Sequence, residues 1–183
     1  MEARAVSPTL AKLPNALTIA RLVVIPVFVV LMTRAAHEPS VAAGFIFFAA
    51  GVTDQLDGFL ARRWHVESRF GKFADPLADR LMIDAAVILL VVYDRLPWAA
   101  LAVIVARDVV LVAGSGFLVP RGVEIDVNRL GKAATWILYG SIFWRIVLEP
   151  TTAWPLYFFW TGLAGAVLAG ALYVREAWGA LRK

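Results

Sequence analysis

Long apolar stretches, separated by short polar ones, follow one another along most of the chain. Each stretch is close to the ~20 residues that an α-helix needs to cross the ~30 Å hydrocarbon core of a bilayer. The pattern therefore predicts an all-α, polytopic integral membrane protein with six transmembrane helices. We expect a single domain over residues 1–183 with a short cytoplasmic arm, residues 1–12. The predicted spans are residues 13–32, 41–60, 73–93, 97–119, 130–148 and 154–177.

The composition also favours a membrane location. Hydrophobic residues make up 61% of the chain and charged residues 17%, whereas soluble domains have about half and about a quarter. The formal net charge of +4 could indicate nucleic-acid binding, but basic cytoplasmic loops explain it more simply in a polytopic chain. We therefore expect membrane lipids and no nucleic acid as partners. Cysteine is absent, which excludes disulfides and thiolate chemistry.

The basic residues fall mainly on one side of the predicted membrane. If both termini are cytoplasmic, the opposite side holds only Arg34, Arg95 and Arg145. The cytoplasmic side then holds Arg4, Lys12, Arg62, Arg63, Arg69, Lys72, Arg121, Arg129, Lys132, Arg175, Arg182 and Lys183. Because cytoplasmic loops carry an excess of Lys and Arg, we predict a multi-pass protein of the cell (inner) membrane in this orientation.

Four aspartates lie where the second apolar stretch ends and the third begins. They are Asp54, Asp57, Asp75 and Asp79. Residues three and four apart share a face of a helix, so each pair lines one face of its helix end. Ionisable groups in membrane segments are costly to desolvate and mark functional sites. If the two faces meet on the cytoplasmic side, four carboxylates converge and need cations between them.

Oxygen ligands without His or Cys select a hard metal. The acids therefore predict Mg²⁺ or Mn²⁺, and a pair of such ions suits phosphoryl-group chemistry. Small and basic residues accompany the acids, which indicates a phosphorylated ligand lying against helix backbones. The small residues are Gly58, Ala61 and Gly71, and the basic residues are Arg62, Arg63, Arg69 and Lys72. Pairing with nearby arginines would explain one such acid but not four at helical spacing.

The spacing of these residues resembles the full signature of the CDP-alcohol phosphotransferase family. In this chain it reads Asp54-x2-Asp57-Gly58-x2-Ala61-Arg62-x8-Gly71-x3-Asp75-x3-Asp79. The resemblance implies an integral membrane enzyme in which an alcohol hydroxyl displaces CMP from a CDP-linked lipid such as CDP-diacylglycerol. It also implies a homodimer, since the family's members generally form one.

The resemblance assigns roles to the matching residues. Asp54, Asp57 and Asp75 would be ligands of two metal ions that bridge the diphosphate. Asp79 would add a ligand or act as the catalytic general base. The residues that would contact the CDP-lipid are Gly58, Ala61 and Gly71, through close backbone approach, and Arg62, through phosphate. We also expect Thr18 and Arg21, on the first predicted helix, to reach the nucleotide.

The acceptor alcohol is indicated by two further runs, residues 13–21 and 71–80. They resemble phosphatidylglycerophosphate synthases most, which use glycerol 3-phosphate. The same pieces occur in cardiolipin synthases of this family, which use phosphatidylglycerol. The pair Arg107-Asp108 departs from the pattern of the glycerophosphate enzymes, which more often have Arg-Glu there.

A phosphorylated acceptor needs cations of its own. The candidates are Lys132, Arg107 and Arg129. In the alternative interpretation, Arg129 is a loop charge and Arg107 pairs with Asp108 or another buried acid.

Two other function classes explain the pattern less well. A metal-ion transporter would have acids spread across membrane depth, whereas only Asp84 and Asp108 lie deeper than the four signature aspartates. A prenyl-diphosphate transferase would have two aspartate-rich motifs far apart in sequence. We therefore expect a phosphatidyltransferase, most simply one that acts on glycerol 3-phosphate.

Overall fold

The computed structural model describes the backbone of residues 8–64, 69–118 and 129–180. It describes side chains within residues 19–53, 80–110 and 130–175, except residues 21 and 173. In these ranges the chain is helical and has no strand, which confirms the all-α part of the predicted fold class. The six helices are α1 (Pro8–Ala35), α2 (Val41–Trp64), α3 (Arg69–Val92), α4 (Trp98–Leu118), α5 (Arg129–Val147) and α6 (Trp154–Ala180).

Helices α2 and α3 extend beyond the apolar stretches that predict them at the ends that carry the signature, whereas α4 lies within its stretch. Helix α2 continues to Trp64 and α3 already begins at Arg69, although the apolar runs end at residue 60 and begin at residue 73. Hydropathy reports preference for lipid, whereas helical hydrogen bonds continue through polar residues with good helix propensity such as Arg. A larger part of the acidic stretch is therefore helical than hydropathy alone predicts.

The prediction of six membrane spans is not confirmed. Within the described residues, Trp154–Leu172 of α6 is the one segment both long and apolar enough to cross a bilayer. The segments Leu22–Ala35 and Val41–Thr53 are apolar but shorter. The structure thus supports six helices in these ranges, and the number that span the membrane stays a prediction.

Within the described residues, each of the six helices contributes buried side chains to one core. Phe28 of α1, Phe47 of α2 and Leu90 of α3 are fully buried. The ring of Phe47 stacks on that of Tyr139 of α5 at a centroid distance of 4.3 Å. The Tyr139 hydroxyl donates a hydrogen bond to the Phe47 carbonyl oxygen (3.1 Å). Gly51 makes this contact possible, because a Cβ at that position would come within 2.3 Å of the Tyr139 ring.

Two buried arginines join three interhelical turns at one end of the bundle. Arg95 follows α3 and Arg145 lies in the last turn of α5; we call this pair the arginine clamp. Arg95 donates to the carbonyl oxygens of Glu38 (3.1 Å) and Leu148 (2.7 Å). Arg145 donates to the carbonyl oxygen of Arg95 through Nε (3.0 Å). The clamp thus connects the turns after α1, α3 and α5.

The clamp also determines which helix ends lie together. Because the turns after α1, α3 and α5 meet at the clamp, α2 ends and α3 begins at the opposite end of the bundle. The signature aspartates belong to those helix ends. The acidic stretch and the clamp are therefore separated by the length of the helices.

Candidate active site

The signature aspartates occupy the predicted helices. Asp54 and Asp57 lie on α2, and Asp75 and Asp79 lie on α3; α2 and α3 are in contact. The spacing that places each pair on one face is therefore real, because both stretches are α-helical.

The side chains of these aspartates lie outside the described residues, so their convergence stays a prediction. The same holds for the predicted nucleotide and acceptor residues Thr18, Arg21, Gly58, Ala61, Arg62, Gly71 and Arg129. Among the side chains that the structure does describe, no group of three or more His, Asp or Glu residues could hold a metal ion. The oxygen-only character of the predicted ligands still fits Mg²⁺ or Mn²⁺.

A cluster of charged side chains begins one residue after Asp79. Arg80 of α3 donates from Nε to Oδ2 of Asp108 on α4 (3.0 Å), and its Nη2 lies 2.5 Å from Oδ1. Two such contacts between one guanidinium and one carboxylate form a bidentate ion pair. Arg107 donates from Nη1 to Oδ1 of the same carboxylate (3.1 Å). Asp108 therefore bridges two arginines from two helices.

The cluster is only partly exposed. The exposed side-chain fractions are 34% for Arg80, 28% for Arg107 and 16% for Asp108. Asp84, one turn after Arg80 on α3, interacts electrostatically with both Arg80 and Asp108. The two arginines are thus balanced by two carboxylates inside the bundle.

The cluster forms one wall of a cavity of about 280 Å³, which we call the arginine cavity. Thr135 and Tyr139 of α5 also line it, and their hydroxyl groups donate hydrogen bonds to the carbonyl oxygens of Gly131 and Phe47. The rest of the lining is apolar and consists of Ile83, Ile104, Leu138, Ile142 and Leu163. Small-molecule sites have this character: an apolar lining with a few placed polar groups that fix orientation.

The position of the arginine cavity relates it to the predicted general base. Arg80 directly follows Asp79 on α3, and Arg107 comes from the neighbouring helix α4. A ligand held by these guanidinium groups would therefore lie close to the α3 segment that carries the signature. Guanidinium groups match phosphate oxygens in charge and geometry.

Arg107 also borders a second, apolar space. A groove of about 480 Å³ lies between α4 and α6, and among the described side chains that line it Arg107 is the charged one. The other lining residues are Val103, Ala106, Val110, Val167, Gly170, Ala171 and Val174. We call this space the α4–α6 groove. The Arg107 side chain therefore lies on the boundary between a polar and an apolar compartment.

The three residues predicted to bind the acceptor phosphate differ in how the structure describes them. The structure brings Arg107 to the arginine cavity and pairs it with Asp108, as the alternative interpretation predicted. Lys132 is exposed on α5 and is not among the residues that line this cavity. The side chain of Arg129 lies outside the described residues. The acceptor-binding roles of all three stay predictions.

Sequence reasoning did not assign a role to Arg80, Thr135 or Tyr139. Arg80 had a usable signal, since a charged residue inside an apolar helix marks a functional position. Thr135 and Tyr139 are four residues apart and share a helix face. That spacing alone predicts a shared environment but not a polar one.

Comparison with known proteins defines the class. The family model described as CDP-alcohol phosphatidyltransferase matches residues 11–172. The chain belongs to this family of CDP-alcohol-dependent transferases, which confirms the resemblance found in the signature. The family generally uses divalent metal ions.

Three individual relatives resemble this chain over most of its length. The chain is 31% identical to a protein of Bacillus subtilis (strain 168), over 93% of this chain and 97% of the relative. It is 36% identical to one of Haemophilus influenzae, over 73% and 76% of the two chains. It is 31% identical to one of Escherichia coli (strain K12), over 93% and 91%. All three relatives are named CDP-diacylglycerol–glycerol-3-phosphate 3-phosphatidyltransferase.

Proposed function

We propose that this protein transfers a phosphatidyl group from CDP-diacylglycerol to glycerol 3-phosphate, releasing CMP and forming phosphatidylglycerophosphate. The family membership supports the reaction class, and the names of relatives matched over most of their length support the acceptor. The structural observation that supports the proposal is the arginine cavity, which Arg80 and Arg107 line and whose Arg80 directly follows Asp79 in α3. In the proposal, these two cations bind the phosphate of the acceptor.

The chemistry follows from the predicted roles. The acceptor hydroxyl oxygen forms a bond to the phosphorus that carries the diacylglycerol, and the bond from that phosphorus to the CMP oxygen breaks. Asp79 takes the hydroxyl proton, and CMP leaves with its phosphate. General-base assistance of this kind contributes typically ~10²–10⁴-fold in rate.

We assign two divalent ions, Mg²⁺ or Mn²⁺, to Asp54, Asp57, Asp75 and Asp79. When bound, they would neutralise the diphosphate and the leaving CMP. The aspartates fit this role because they provide hard oxygen ligands at helical spacing on two helices in contact. The nucleotide would lie against Gly58 and the rest of the signature, with Thr18, Arg21 and Arg62 as further donors.

Two properties of the arginine cavity favour glycerol 3-phosphate over phosphatidylglycerol. First, a terminal phosphate monoester carries more charge and more free oxygens than a lipid phosphodiester, so it benefits more from Arg80 and Arg107. Second, the cavity of about 280 Å³ suits a small polar molecule. Lys132 and Arg129, at the start of α5, would be further cations for the acceptor phosphate.

We further propose a multi-pass protein of the cell membrane with cytoplasmic termini and active site, acting as a homodimer. Many large apolar side chains are exposed on the helices, among them Val23, Phe45, Val109 and Phe158. Large exposed apolar surfaces in a soluble monomer are rare and mark membrane or protein contacts. The presence of such exposed apolar side chains on several helices supports more than one span.

The test is CMP release by purified protein with CDP-diacylglycerol and Mg²⁺, with glycerol 3-phosphate or phosphatidylglycerol as acceptor. We expect release with glycerol 3-phosphate and none above background with phosphatidylglycerol. The Asp79→Asn variant, which keeps the side-chain shape, should lose activity. Release with phosphatidylglycerol alone would identify a cardiolipin synthase, and undiminished activity of the variant would remove Asp79 from the reaction.

A further inference from the structure

The carboxylate of Asp108 is the group that connects the two arginines of the arginine cavity. It receives Arg80 in a bidentate ion pair (3.0 and 2.5 Å) and Arg107 through a single hydrogen bond (3.1 Å). The cluster lies between α3 and α4, and α4 otherwise packs on α6. Asp108 is therefore placed to fix both the relation of α3 to α4 and the direction of two guanidinium groups.

The contact with Arg107 uses only part of that guanidinium. Nη1 of Arg107 points to Asp108, and its Nε is buried without a hydrogen-bond partner among the described residues. A buried donor without an acceptor costs free energy. An anion in the arginine cavity could accept a hydrogen bond from this Nε only after the side chain turns, because Nε is enclosed in the present arrangement.

The Arg107 side chain could point into either of two spaces. The side chain borders both the arginine cavity and the α4–α6 groove. Arginine side chains readily lay their methylene stems along apolar surfaces and move the charged group to a polar boundary. Without a fixed acceptor on the cavity side, Arg107 would be free to leave the cavity, and its proximity to Arg80 would favour this through like-charge repulsion.

We propose that Asp108 is a positioning residue for the phosphorylated acceptor. It holds Arg107 on the cavity side and keeps Arg80 beside it, so that both guanidinium groups are preorganised before the acceptor phosphate binds. Asp108 itself does not contact the phosphate, because both are anionic. This inference rests on the proposed function, since it assumes that the arginine cavity receives the acceptor.

The first experiment is steady-state kinetics of CMP release by the full-length Asp108→Asn variant. Asparagine keeps the size of the side chain but loses the charge that holds two arginines. We expect the KM for glycerol 3-phosphate to rise about tenfold, with the KM for CDP-diacylglycerol changed less than about twofold. The Asp108→Glu variant keeps the charge but displaces the guanidinium groups by a methylene, and should raise the acceptor KM about threefold.

The matched control is Asp94→Asn, the same substitution at an exposed aspartate of the opposite end. Asp94 has a backbone φ of 54°, which asparagine adopts well. This variant should keep both KM values. If Asp108→Asn does not fold, Asp108→Glu decides instead, and an unchanged acceptor KM would overturn the proposal.

A double variant separates positioning from a general structural role. If Asp108 acts through both arginines, then adding Asp108→Asn to Arg107→Met should raise the acceptor KM by clearly less than the roughly tenfold expected in the unsubstituted protein, because only the action through Arg80 remains. Full additivity, an equal rise of both KM values, or a loss of thermal stability with unchanged KM values would overturn the inference. Failure of the unsubstituted protein to use glycerol 3-phosphate would instead overturn the proposed function, and this inference with it.

Discussion

The arginine clamp and the arginine cavity contain the same residue type in opposite settings. In the clamp, Arg95 and Arg145 are 2% and 5% exposed and donate to backbone carbonyl oxygens. In the cavity, Arg80 and Arg107 are about one-third exposed and share the carboxylate of Asp108. The clamp is closed by main chain, whereas the cavity pair borders open space.

This difference shows what separates a structural arginine from a candidate binding arginine. Carbonyl oxygens at helix ends lack intrahelical partners, so a buried guanidinium satisfies them and joins the turns permanently. Burial, followed by the nearby charge of Arg145, lowers the pKa of Arg95, while Glu149 and Glu38 act in the opposite direction. A carboxylate-held arginine beside a cavity keeps donors available for an anion.

Metal removal should have the largest effect and should affect only the cavity end. Chelation with EDTA is expected to abolish CMP release, because the predicted convergence of the four carboxylates would then leave them and the diphosphate to repel each other. Far-ultraviolet circular dichroism should show unchanged helix content, since the clamp needs no metal. Restored activity on adding Mg²⁺ is the control, and activity that persists in EDTA would contradict the assignment of the aspartates.

Removing a clamp arginine should destabilise the protein with little effect on substrate affinity. Arg145→Met loses hydrogen bonds to the carbonyl oxygens of Arg95, Pro150 and Thr152. We expect a loss of about 3 kcal/mol in the free energy of unfolding, measured by thermal unfolding in detergent. The matched control is Arg34→Met, an exposed arginine at the same end. A large rise in the acceptor KM with unchanged stability would instead make Arg145 a substrate-binding residue.

Removing a cavity arginine should do the opposite. Arg107→Met is expected to raise the KM for glycerol 3-phosphate about tenfold and to change stability by less than about 1 kcal/mol. Arg107→Lys should recover only part of the affinity, because lysine lacks the planar fork of donors. Kinetics and thermal unfolding on the same preparations measure both effects. An unchanged KM together with a lower unfolding temperature would make Arg107 a structural residue like Arg145.

The smallest effect on stability and on the acceptor KM is expected for a substitution of Tyr139, which lies between the arginine clamp and the arginine cavity. Tyr139→Phe removes the hydrogen bond to the Phe47 carbonyl oxygen but keeps the stacked ring. We expect a loss of about 1 kcal/mol in stability and a change of less than about twofold in the acceptor KM. A larger rise in KM would show that the hydroxyl group contacts the acceptor from the cavity wall.

Sequence patterns predicted the helices better than their contacts. The apolar stretches correctly indicated six helices in the described ranges, and the signature correctly indicated the family. Both signals are local, since hydropathy and motif spacing depend on neighbouring residues. The positions where α2 ends and α3 begins were less well predicted. Trp64 and Arg69 lie in a polar stretch, and a helix can continue through such residues although they have no preference for the lipid core.

The roles of the arginines depended on tertiary structure. The sequence placed Arg95 and Arg145 on the side opposite the signature but gave no sign that both are buried. It left two interpretations for Arg107 and named Arg80 only as a neighbour of the acids. The contact between Arg80 and Asp108 joins residues 28 positions apart, so it exists only because α3 and α4 pack side by side.

The sequence by itself determined the chemistry that this protein can perform. Acids at helical spacing, small residues between them and apolar stretches of membrane length are local properties, and they indicated the CDP-alcohol family and its reaction. Tertiary structure decided which cations face a cavity and which close the bundle. The physical reason is that the acceptors of a guanidinium group decide its role. They are backbone carbonyl oxygens for Arg145 and the Asp108 carboxylate for Arg107. Tertiary packing, and not the local sequence, brings these groups into position.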